Sequence, residues 1–494
     1  QAQRWGELAD RNVPILHTHD RYGHRVDEIE YDPAYHELMT VAVGHGLHAA
    51  PWADDRPGAH VVRAAKNSVW TVEPGHLCPI SMSYAAGPVL AATPGAATEW
   101  LPKVASRSYE PALVPIEQKR GAIVGMGMTE KQGGSDVRAN STTATPDPRG
   151  PLGAGSYRLR GHKWFCSAPM SDAFLVLAQA PAGLSCFLLP RALPDGMRNS
   201  FALQRLKDKL GNRSNASSEV EFDDSWATLL GVEGRGIRTI IDMVAGTRLD
   251  CILGSSATMR QALVRATHHT AHRMTFGRPL IDQPLMRNVL ADLALETEAA
   301  TVLSLRMARA FDRLDNEAEN AFRRLVTPAA KYWICKRGPE LAAEAMEVQG
   351  GNGYVDEGML ARIYREMPVN SIWEGSGNIM CLDLLRAVSK TPNAQAVLLA
   401  ELSPALGRHA AYDKFLGQLQ RDLGDSGNLE TRARRLTQNL TLALQASLLL
   451  QHAPDYVSDA FCRSRLAQDW GYNFGTLPAN VDFAGILSRA WPHN

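Results

Sequence analysis

The sequence predicts a mainly α-helical protein with a central β domain, and three changes of texture along the chain indicate this. Helical periodicity broken by Pro- and Gly-marked loops fills the first ~120 residues. Short apolar runs between Gly, Pro, Asn and Asp clusters follow, and from Gly236 to about Ser389 long helical patterns return. The predicted domains are an N-terminal helical domain (1–120), a β domain (121–230), a helical bundle with an oligomer interface (231–390) and a C-terminal helical region (391–494).

The individual elements follow from local patterns. In the β domain, residues 157–160, 173–178 and 185–189 are short strand-like runs and residues 219–222 alternate, which is typical of a barrel or a sandwich. Two long helices, 237–266 and 284–315, lack internal proline and predict a four-helix bundle. Residues 391–393, Thr-Pro-Asn, mark a break, after which 436–450 is the clearest amphipathic helix.

Composition excludes several classes of protein. The 494 residues carry 52 Lys+Arg and 52 Asp+Glu, so any contact to nucleic acid must come from a local patch. No apolar run approaches the ~20 residues that span a bilayer, and the N-terminus lacks the apolar core of a signal peptide. Seven scattered cysteines without a C-x-x-C pair favour a reducing cytoplasm, and we predict no metal site, including at the histidines 268, 269 and 272.

Residues 365–380 contain the candidate catalytic base. Glu374 follows apolar Ile372 and Trp373 and precedes a turn whose glycines let backbone approach a ligand closely. Partial desolvation there would raise the pKa of the carboxyl group toward the range of a general base. The alternative is a helix N-cap at Ser376 or Asn378 with Glu374 as a solvated neighbour.

A glycine- and hydroxyl-rich loop, residues 125–137, opens the β domain. Its backbone N–H groups and short hydroxyls suit the carbonyls and phosphates of a nucleotide. The spacing fits neither a dinucleotide-binding G-x-G-x-x-G nor a P-loop. A glycine-rich β-turn without a ligand explains the loop equally well.

Several segments together resemble one family of flavoproteins. They occur in the family's order: Met128-Thr129-Glu130 with Gly133-Gly134-Ser135-Asp136-Val137, then 161–167, 273–277, Gln283, 350–354 and 372–375. On these residues the chain is identified as a member of the acyl-CoA dehydrogenase superfamily, over about residues 34–388. The resemblance implies a helical N-domain, a β-barrel and a four-helix bundle, with FAD as the cofactor.

Within the superfamily the chain is most similar to the AidB branch, which is linked to the adaptive response to DNA alkylation. Residues 207–216, residues 367–378 and the extra C-terminal helices carry this resemblance. It implies protection against alkylation damage, binding of double-stranded DNA, and weak dehydrogenation of a small acyl-CoA such as isovaleryl-CoA.

The resemblance also implies roles for single residues. Thr129 bonds the flavin pyrimidine edge, Ser135 reaches the pyrophosphate, Phe165 packs on the isoalloxazine and Ser167 addresses flavin N5. Glu374 removes the proton α to the thioester carbonyl while the β-hydride passes to N5. The full predicted set of FAD contacts is Met126, Thr129, Gly134, Ser135, Phe165, Cys166, Ser167, Arg273, Phe276, Gln283, Ile372, Trp373, Ser376 and Asn378.

Some of these residues act across subunits or differ from the family pattern. Arg273 and Phe276 match residues that bind the adenine half of a neighbouring subunit's FAD, which implies a homotetramer. Trp373 stands where many relatives have tyrosine, and Glu347 where a glutamine usually lies. A pocket narrowed by Trp373 favours a small branched substrate over a long fatty acyl-CoA.

The predicted DNA contacts are arginines in and near the C-terminal region. Residues 391–494 hold nine Lys/Arg and nine Asp/Glu, so no net charge attracts DNA. A tetramer that aligns copies of a local patch would still present a positive stripe, with sequence-tolerant and salt-sensitive binding. The candidates are Arg386, Arg432, Arg434 and Arg435, with Arg421 nearby and a second patch at Arg463 and Arg465.

Two functions of different class remain open at this point. One is the DNA-binding flavoprotein, whose redox site is secondary or acts on alkylating agents. The other is a metabolic FAD-dependent enzyme that oxidises a short or branched acyl-CoA or a nitroalkane, without a role on DNA. A scaffold that has lost FAD is the least favoured, because every type of flavin contact is present in the sequence.

Overall fold

The computed structural model describes residues 1–54, 56–153, 155–313, 315–425 and 427–491. The chain forms two compact units, here called unit 1 (residues 1–59 and 69–247) and unit 2 (residues 60–68 and 248–494). Unit 1 contains seven of the fourteen predicted FAD contacts. Unit 2 contains the other seven, the candidate base and the predicted DNA contacts.

The first half of the chain combines N-terminal helices with a β domain. Its elements are α1 (Ala2–Arg11), β1 (Ile15–His19), β2 (Arg25–Glu30), α2 (Pro33–Gly44), α3 (Ala50–Ala53), α4 (Ala59–Trp70), α5 (Leu77–Ala91), α6 (Pro94–Glu99), α7 (Leu101–Val104), β3 (Val124–Gly127), β4 (Thr143–Pro146), β5 (Ser156–Ser167), β6 (Ala173–Ala180), β7 (Gly183–Pro190), β8 (Ala202–Leu206) and β9 (Ser217–Leu230).

One element in the first 120 residues differs from the prediction of helices alone. Strands β1 and β2 pair antiparallel as a hairpin. Asp20 closes the turn, because its Oδ1 accepts hydrogen bonds from the backbone N–H groups of Tyr22 and His24 at 2.8 and 2.9 Å. Gly23 follows with φ +85°, a conformation that costs glycine little.

The β domain is a closed barrel, which confirms the predicted central β-barrel and excludes the sandwich. Around the ring, β6 pairs with β4, β4 with β5, β5 with β9, β9 with β7, and β7 returns to β6. Strand β3 pairs parallel with β6, and β8 pairs with β9. Strand β6 is buried on both faces: Phe174 and Val176 pack in one apolar cluster, Leu175 and Leu177 in another with Val89 of α5.

The second half of the chain is helical. Its elements are α8 (Gly236–His272), the short strands β10 (Met274–Thr275) and β11 (Arg278–Pro279), α9 (Pro284–Phe311), α10 (Glu317–Val348), α11 (Gly351–Tyr354), α12 (Met359–Glu366), α13 (Gly377–Lys390), α14 (Ala394–Leu402), α15 (Ala410–Gly424), α16 (Leu429–His452), α17 (Asp455–Phe461) and α18 (Phe483–Ala490).

Helices α9, α10, α13 and α16 pack on one another in unit 2. The predicted helices 237–266 and 436–450 are confirmed within α8 and α16, and the break at 391–393 separates α13 from α14. Helix α9 ends at Phe311, before the predicted end at 315, and Leu314 lies outside the described residues.

The second predicted basic patch is wrong for Arg465. Its side chain lies in a buried π-helical turn, Cys462–Leu466, and pairs with the buried carboxylates of Asp292 and Glu296 of α9. Asp292 also accepts hydrogen bonds from Trp470 Nε1 and from the backbone N–H of Gly475, both at 2.9 Å. Arg465 therefore fastens the C-terminal segment to the bundle and is not a surface cation.

Bilayer-spanning helices are absent from the described residues, since none there is both long and apolar enough to cross a membrane.

Candidate functional site

The glycine-rich loop and strand β5 are joined in unit 1. The backbone N–H of Trp164 donates to the carbonyl oxygen of Thr129 at 2.9 Å, which places the predicted pyrimidine-edge residue beside the segment that ends in Ser167. Gly134 packs back on Thr129, because a Cβ at Gly134 would lie 2.6 Å from Thr129 Oγ1. The loop thus presents backbone rather than side chains, and Ser135 in it is exposed.

A buried ion pair lies beneath the same two segments. Lys163 Nζ lies 2.8 Å from Glu130 Oε1, and both side chains are fully buried. Glu130 also accepts hydrogen bonds from the backbone N–H groups of Ser141 and Thr142. Burial would raise the pKa of Glu130, but Lys163 and these donors bring that pKa down to about 2. The charged carboxylate therefore locks Thr129-Glu130 to β5.

Phe165 lies at an irregularity of β5. Lys163 pairs with Val220 and Cys166 with Ser218, and the regular register is lost between them. Phe165 is 51% exposed, although it is aromatic and directly precedes buried Cys166. Such bulges re-aim side chains beside functional sites. The Cys166 side chain is buried, so it offers a flavin only its backbone.

The end of the segment is polar. Ser167 Oγ lies 3.2 Å from Ser217 Oγ of β9 and is partly exposed. Met126, at the end of β3, is partly buried against an apolar cluster of unit 1. Met126 and Ser167 thus lie on strands β3 and β5, which are in contact in unit 1.

The candidate base lies on a strained and firmly held loop in unit 2. Glu374 has φ +59°, a left-handed conformation that costs a non-glycine residue about 1–2 kcal/mol. Its carbonyl oxygen accepts a hydrogen bond from Arg248 Nε at 2.9 Å. Lys331 Nζ donates to the carbonyl oxygens of Asn370 and Gly375, both at 2.9 Å. Because Lys331 is almost fully buried, these two bonds fix both ends of the loop.

The aromatic neighbour of the base is fixed by a chain of side-chain contacts. Trp373 Nε1 donates to Asn370 Oδ1 at 3.0 Å, and Asn370 Nδ2 donates to Ser255 Oγ at 3.1 Å. Ser255 belongs to α8, so the indole is tied to the bundle. Ile372, beside it, is 64% exposed. Ile372 is exposed, Trp373 is held by Asn370, and Glu374 is held through its backbone carbonyl. Together they place an apolar surface next to one carboxylate.

Arginines surround a single buried carboxylate on α13. Asp383 pairs with Arg248 at 2.8 Å and with Arg324 at 2.7 Å, and its side chain is 9% exposed. Burial would raise the pKa of Asp383, but Arg324 and Arg248 hold that pKa below its usual value. Arg386 lies farther from the same carboxylate, at 3.7 Å, and keeps 61% of its side chain exposed. The predicted DNA contact Arg386 is therefore weakly paired.

The first turn of α13 contains the two residues predicted to close over FAD. Ser376 occupies the N-cap position, as the alternative reading proposed, but its hydroxyl makes no capping bond within the described residues. Asn378 is exposed, and its Oδ1 accepts a hydrogen bond from Arg434 Nε of α16 at 2.9 Å. A residue predicted to bind DNA thus contacts a residue predicted to bind the cofactor.

The other two arginines of the predicted patch differ from each other. Arg432 is half-buried, pairs with Asp425 at 3.2 Å and donates to backbone oxygens of the turn before α16. Arg435 is exposed and has no ion pair or hydrogen bond inside the described part of the chain. Arg435 and Arg386 are therefore the better-placed candidates for phosphate contact.

The residues predicted to reach a neighbouring subunit lie on one hairpin of unit 2. Strands β10 and β11 pair through Met274 and Thr275. Phe276 at the turn has φ +50° and a 99% exposed side chain. Gln283 braces the hairpin, because its Nε2 donates to the Thr275 carbonyl oxygen at 2.9 Å. Arg273 is exposed at the start of the hairpin.

These arrangements fit an FAD. Unit 1 offers an open aromatic face at Phe165, an exposed hydroxyl at Ser135 and a backbone-lined loop at Gly134, which are the partners that a ring system and a diphosphate need. When bound, FAD supplies a hydride acceptor. Glu374 is the candidate proton acceptor.

The residues that hold the base loop, Arg248 and Lys331, were not among the predicted site residues. Each is a lone cation in an apolar helical stretch. A buried cation needs a partner, so such isolated charges are a usable signal. The partners themselves, backbone carbonyls of the base loop, leave no trace in side-chain composition.

Comparison with known families covers most of the chain. Residues 1–111 match the adaptive response protein AidB N-terminal domain. Residues 125–225 match the acyl-CoA dehydrogenase middle domain, and residues 234–389 match the acyl-CoA dehydrogenase C-terminal domain.

Individual relatives agree with these matches. AidB of Escherichia coli (strain K12) is 49% identical over 93% of this chain and 84% of its own length. Its name describes it as an acyl-CoA dehydrogenase. ACDH-11 of Caenorhabditis elegans, solved in complex with C11-CoA, is 26% identical with a TM-score of 0.85 over 94% of this chain and 85% of that chain. An acyl-CoA dehydrogenase of Bacillus anthracis complexed with FAD, 17% identical, has the same fold with a TM-score of 0.70 over 93% and 87% of the two chains.

Proposed function

This chain belongs to the acyl-CoA dehydrogenase family, and we propose that within it the chain is an AidB-like protein that binds double-stranded DNA and protects it against alkylation. The protein is an FAD-dependent, acyl-CoA dehydrogenase-like oxidoreductase. Its proposed residual substrate is a small branched acyl-CoA such as isovaleryl-CoA. The similarity to AidB over 93% of the chain is the observation that carries this proposal.

The proposed chemistry assigns separate tasks to the residues of unit 2. Glu374 accepts the proton α to the thioester carbonyl, while the β-hydride leaves to the cofactor. Arg248 and Lys331 keep the carboxylate in place by holding backbone carbonyls on either side of it. Trp373, fixed by Asn370, limits the room beside the base and supports the preference for a short acyl group.

The proposed DNA contact rests on exposed arginines of unit 2. Arg435 has no carboxylate partner within the described residues, and Arg386 has only a 3.7 Å contact to Asp383. Arg432 is instead paired with Asp425, and Arg434 is hydrogen-bonded to Asn378. Phosphate contacts of this kind are sequence-tolerant, and the affinity for DNA falls as salt is added, more steeply the more contacts there are. Homotetramer formation would repeat the pair four times, and exposed Phe276 and Leu285 support an interface near the hairpin. The seven free cysteines support a cytoplasmic location.

Two measurements on the FAD-loaded protein test the proposal. Isovaleryl-CoA is titrated anaerobically, and the flavin absorbance is expected to bleach slowly. Binding of a fluorescent DNA duplex is then followed over a salt series and is expected to weaken steeply. Bleaching without duplex binding would leave the metabolic alternative, and duplex binding without bleaching by any acyl-CoA would remove the dehydrogenase activity.

A further inference from the structure

Two aromatic residues of β5 share one partner on the neighbouring strand. Between the paired residues Lys163–Val220 and Cys166–Ser218, Trp164 and Phe165 of β5 stand opposite Glu219 of β9 alone. Two residues against one is the arrangement of a β-bulge. The bulge brings both rings to the same lysine, Lys207.

Lys207 lies against both rings. Its Nζ is 3.6 Å from the centre of the Trp164 ring and 4.7 Å from the centre of the Phe165 ring. The ammonium is fixed there by Glu219, whose Oε1 lies 2.5 Å away. Both side chains are mostly removed from water, with 13% of Lys207 and 12% of Glu219 exposed. Solvent therefore screens the charges of this pair only in part.

The charge around the bulge is unbalanced. Arg205, directly across from Glu219 in β8, is 2.7 Å from the same carboxylate oxygen. Lys131, in the glycine-rich loop, lies 5.5 Å from the Trp164 ring centre. Two cations thus share one carboxylate, a third lies near the Trp164 ring, and the cation in contact with Phe165 is Lys207.

We propose that Lys207 is a positioning residue that sets the reduction potential of the bound FAD. Phe165 is the ring on which the isoalloxazine is expected to pack, so the proposal rests on that part of the proposed function. Reduction places two electrons on the isoalloxazine and makes it more negative. A cation held against Phe165 therefore lowers the free energy of the reduced flavin more than that of the oxidised flavin.

The two partners of the ion pair give opposite predictions. Lys207→Met removes one positive charge and keeps a side chain of similar length, so the potential falls. Glu219→Gln leaves the ammonium but removes its counter-charge, so the potential rises. We expect about a tenfold change in the equilibrium constant for reduction in each case, which for two electrons is about 30 mV. Lys414→Met, at an exposed lysine of α15, is the control with the same loss of charge, and it should leave the potential unchanged.

The measurement is the midpoint potential of the FAD-loaded protein, by slow anaerobic reduction against a reference dye. Opposite shifts for Lys207→Met and Glu219→Gln support the proposal. Shifts of the same sign, or none in either variant, overturn it. Should Lys207→Met purify without flavin, Glu219→Gln decides alone, because only an electrostatic role predicts a rise. No acyl-CoA or DNA is present, so failure of either proposed activity leaves this test intact.

Discussion

Arg434 of α16 donates a hydrogen bond from Nε to Oδ1 of Asn378, at 2.9 Å, in the first turn of α13. This hydrogen bond adds a polar contact to the packing of α16 on α13. Arg434 is exposed and forms no ion pair within the described ranges, so its terminal nitrogens face solvent while Nε holds the amide.

Replacing Arg434 should therefore affect the cofactor as well as DNA. We expect Arg434→Ala to retain FAD several-fold less tightly, because a hydrogen bond to a charged group contributes about 1.5–3 kcal/mol at most and this one is exposed. Flavin fluorescence after dilution measures the release. Arg435→Ala, the control at the neighbouring residue, should lower duplex binding and leave FAD retention unchanged. Equal FAD retention in both variants would show that Asn378 does not contribute to FAD binding.

Glu374→Gln should keep the flavin and lose its reduction by substrate. The amide cannot accept the α-proton, and general bases contribute about 10²–10⁴-fold to rate. We expect anaerobic bleaching by isovaleryl-CoA to slow at least hundredfold, measured by stopped-flow absorbance. Glu357→Gln, at an exposed glutamate outside the base loop, should bleach normally. Unchanged bleaching in Glu374→Gln would assign the base elsewhere.

Arg386→Gln should weaken duplex binding and flatten its salt dependence. One phosphate contact fewer lowers the slope of log K against log salt by about 0.9. Fluorescence anisotropy between low and moderate salt measures this slope, with FAD content as the check on folding. Arg4→Gln, at an exposed arginine of α1, is the control with the same loss of charge. Identical slopes for both variants would remove Arg386 from the DNA contact.

Removing one partner of the Lys163–Glu130 pair should destabilise the barrel. Lys163→Met leaves the Glu130 carboxylate buried without its cation, and breaking a buried pair in this way costs about 3–5 kcal/mol. The double variant Lys163→Met with Glu130→Gln should regain much of that loss. Denaturant unfolding measures both; a single variant as stable as the parent would show that the pair contributes little.

The same pair gives a pH dependence. The folded pKa of Glu130 is about 2, against an ordinary value of 4.5, so its contribution to stability is complete above the ordinary value. As pH falls from 4.5 toward 2, the unfolded chain binds this proton first and the contribution is lost. Glu130→Gln should make the acid side of the stability curve shallower, measured by unfolding at a series of pH values.

Arg465 and its neighbour Arg463 should behave differently despite their shared sequence context. Arg465→Met leaves Asp292 buried without its ion-pair partner, while Glu296 keeps Arg337 at 3.3 Å, which predicts a loss of about 3–5 kcal/mol. Arg463→Met removes partly exposed pairs and should cost less than about 1 kcal/mol. Thermal unfolding measures both, and duplex binding should be equal in the two folded variants.

The order of helices and barrel was readable from periodicity because apolar spacing reports which faces are buried. The β1–β2 hairpin could have been predicted, because Asp20 and Gly23 are residues typical of a turn and lie between two strand segments. The burial of Arg465 carried no such signal, because its partners lie about 170 positions earlier in the chain. For Lys331 the partners alone left no signal, because they are carbonyl oxygens that every sequence possesses.

The turn of the β10–β11 hairpin has two unfavourable features in a single chain. Phe276 adopts a left-handed backbone and leaves its whole ring in water. An uncovered chain would gain free energy by relaxing both, so order at this turn should depend on something that covers the ring. Dilution, more than heating, is then the condition that would first loosen residues 273–283.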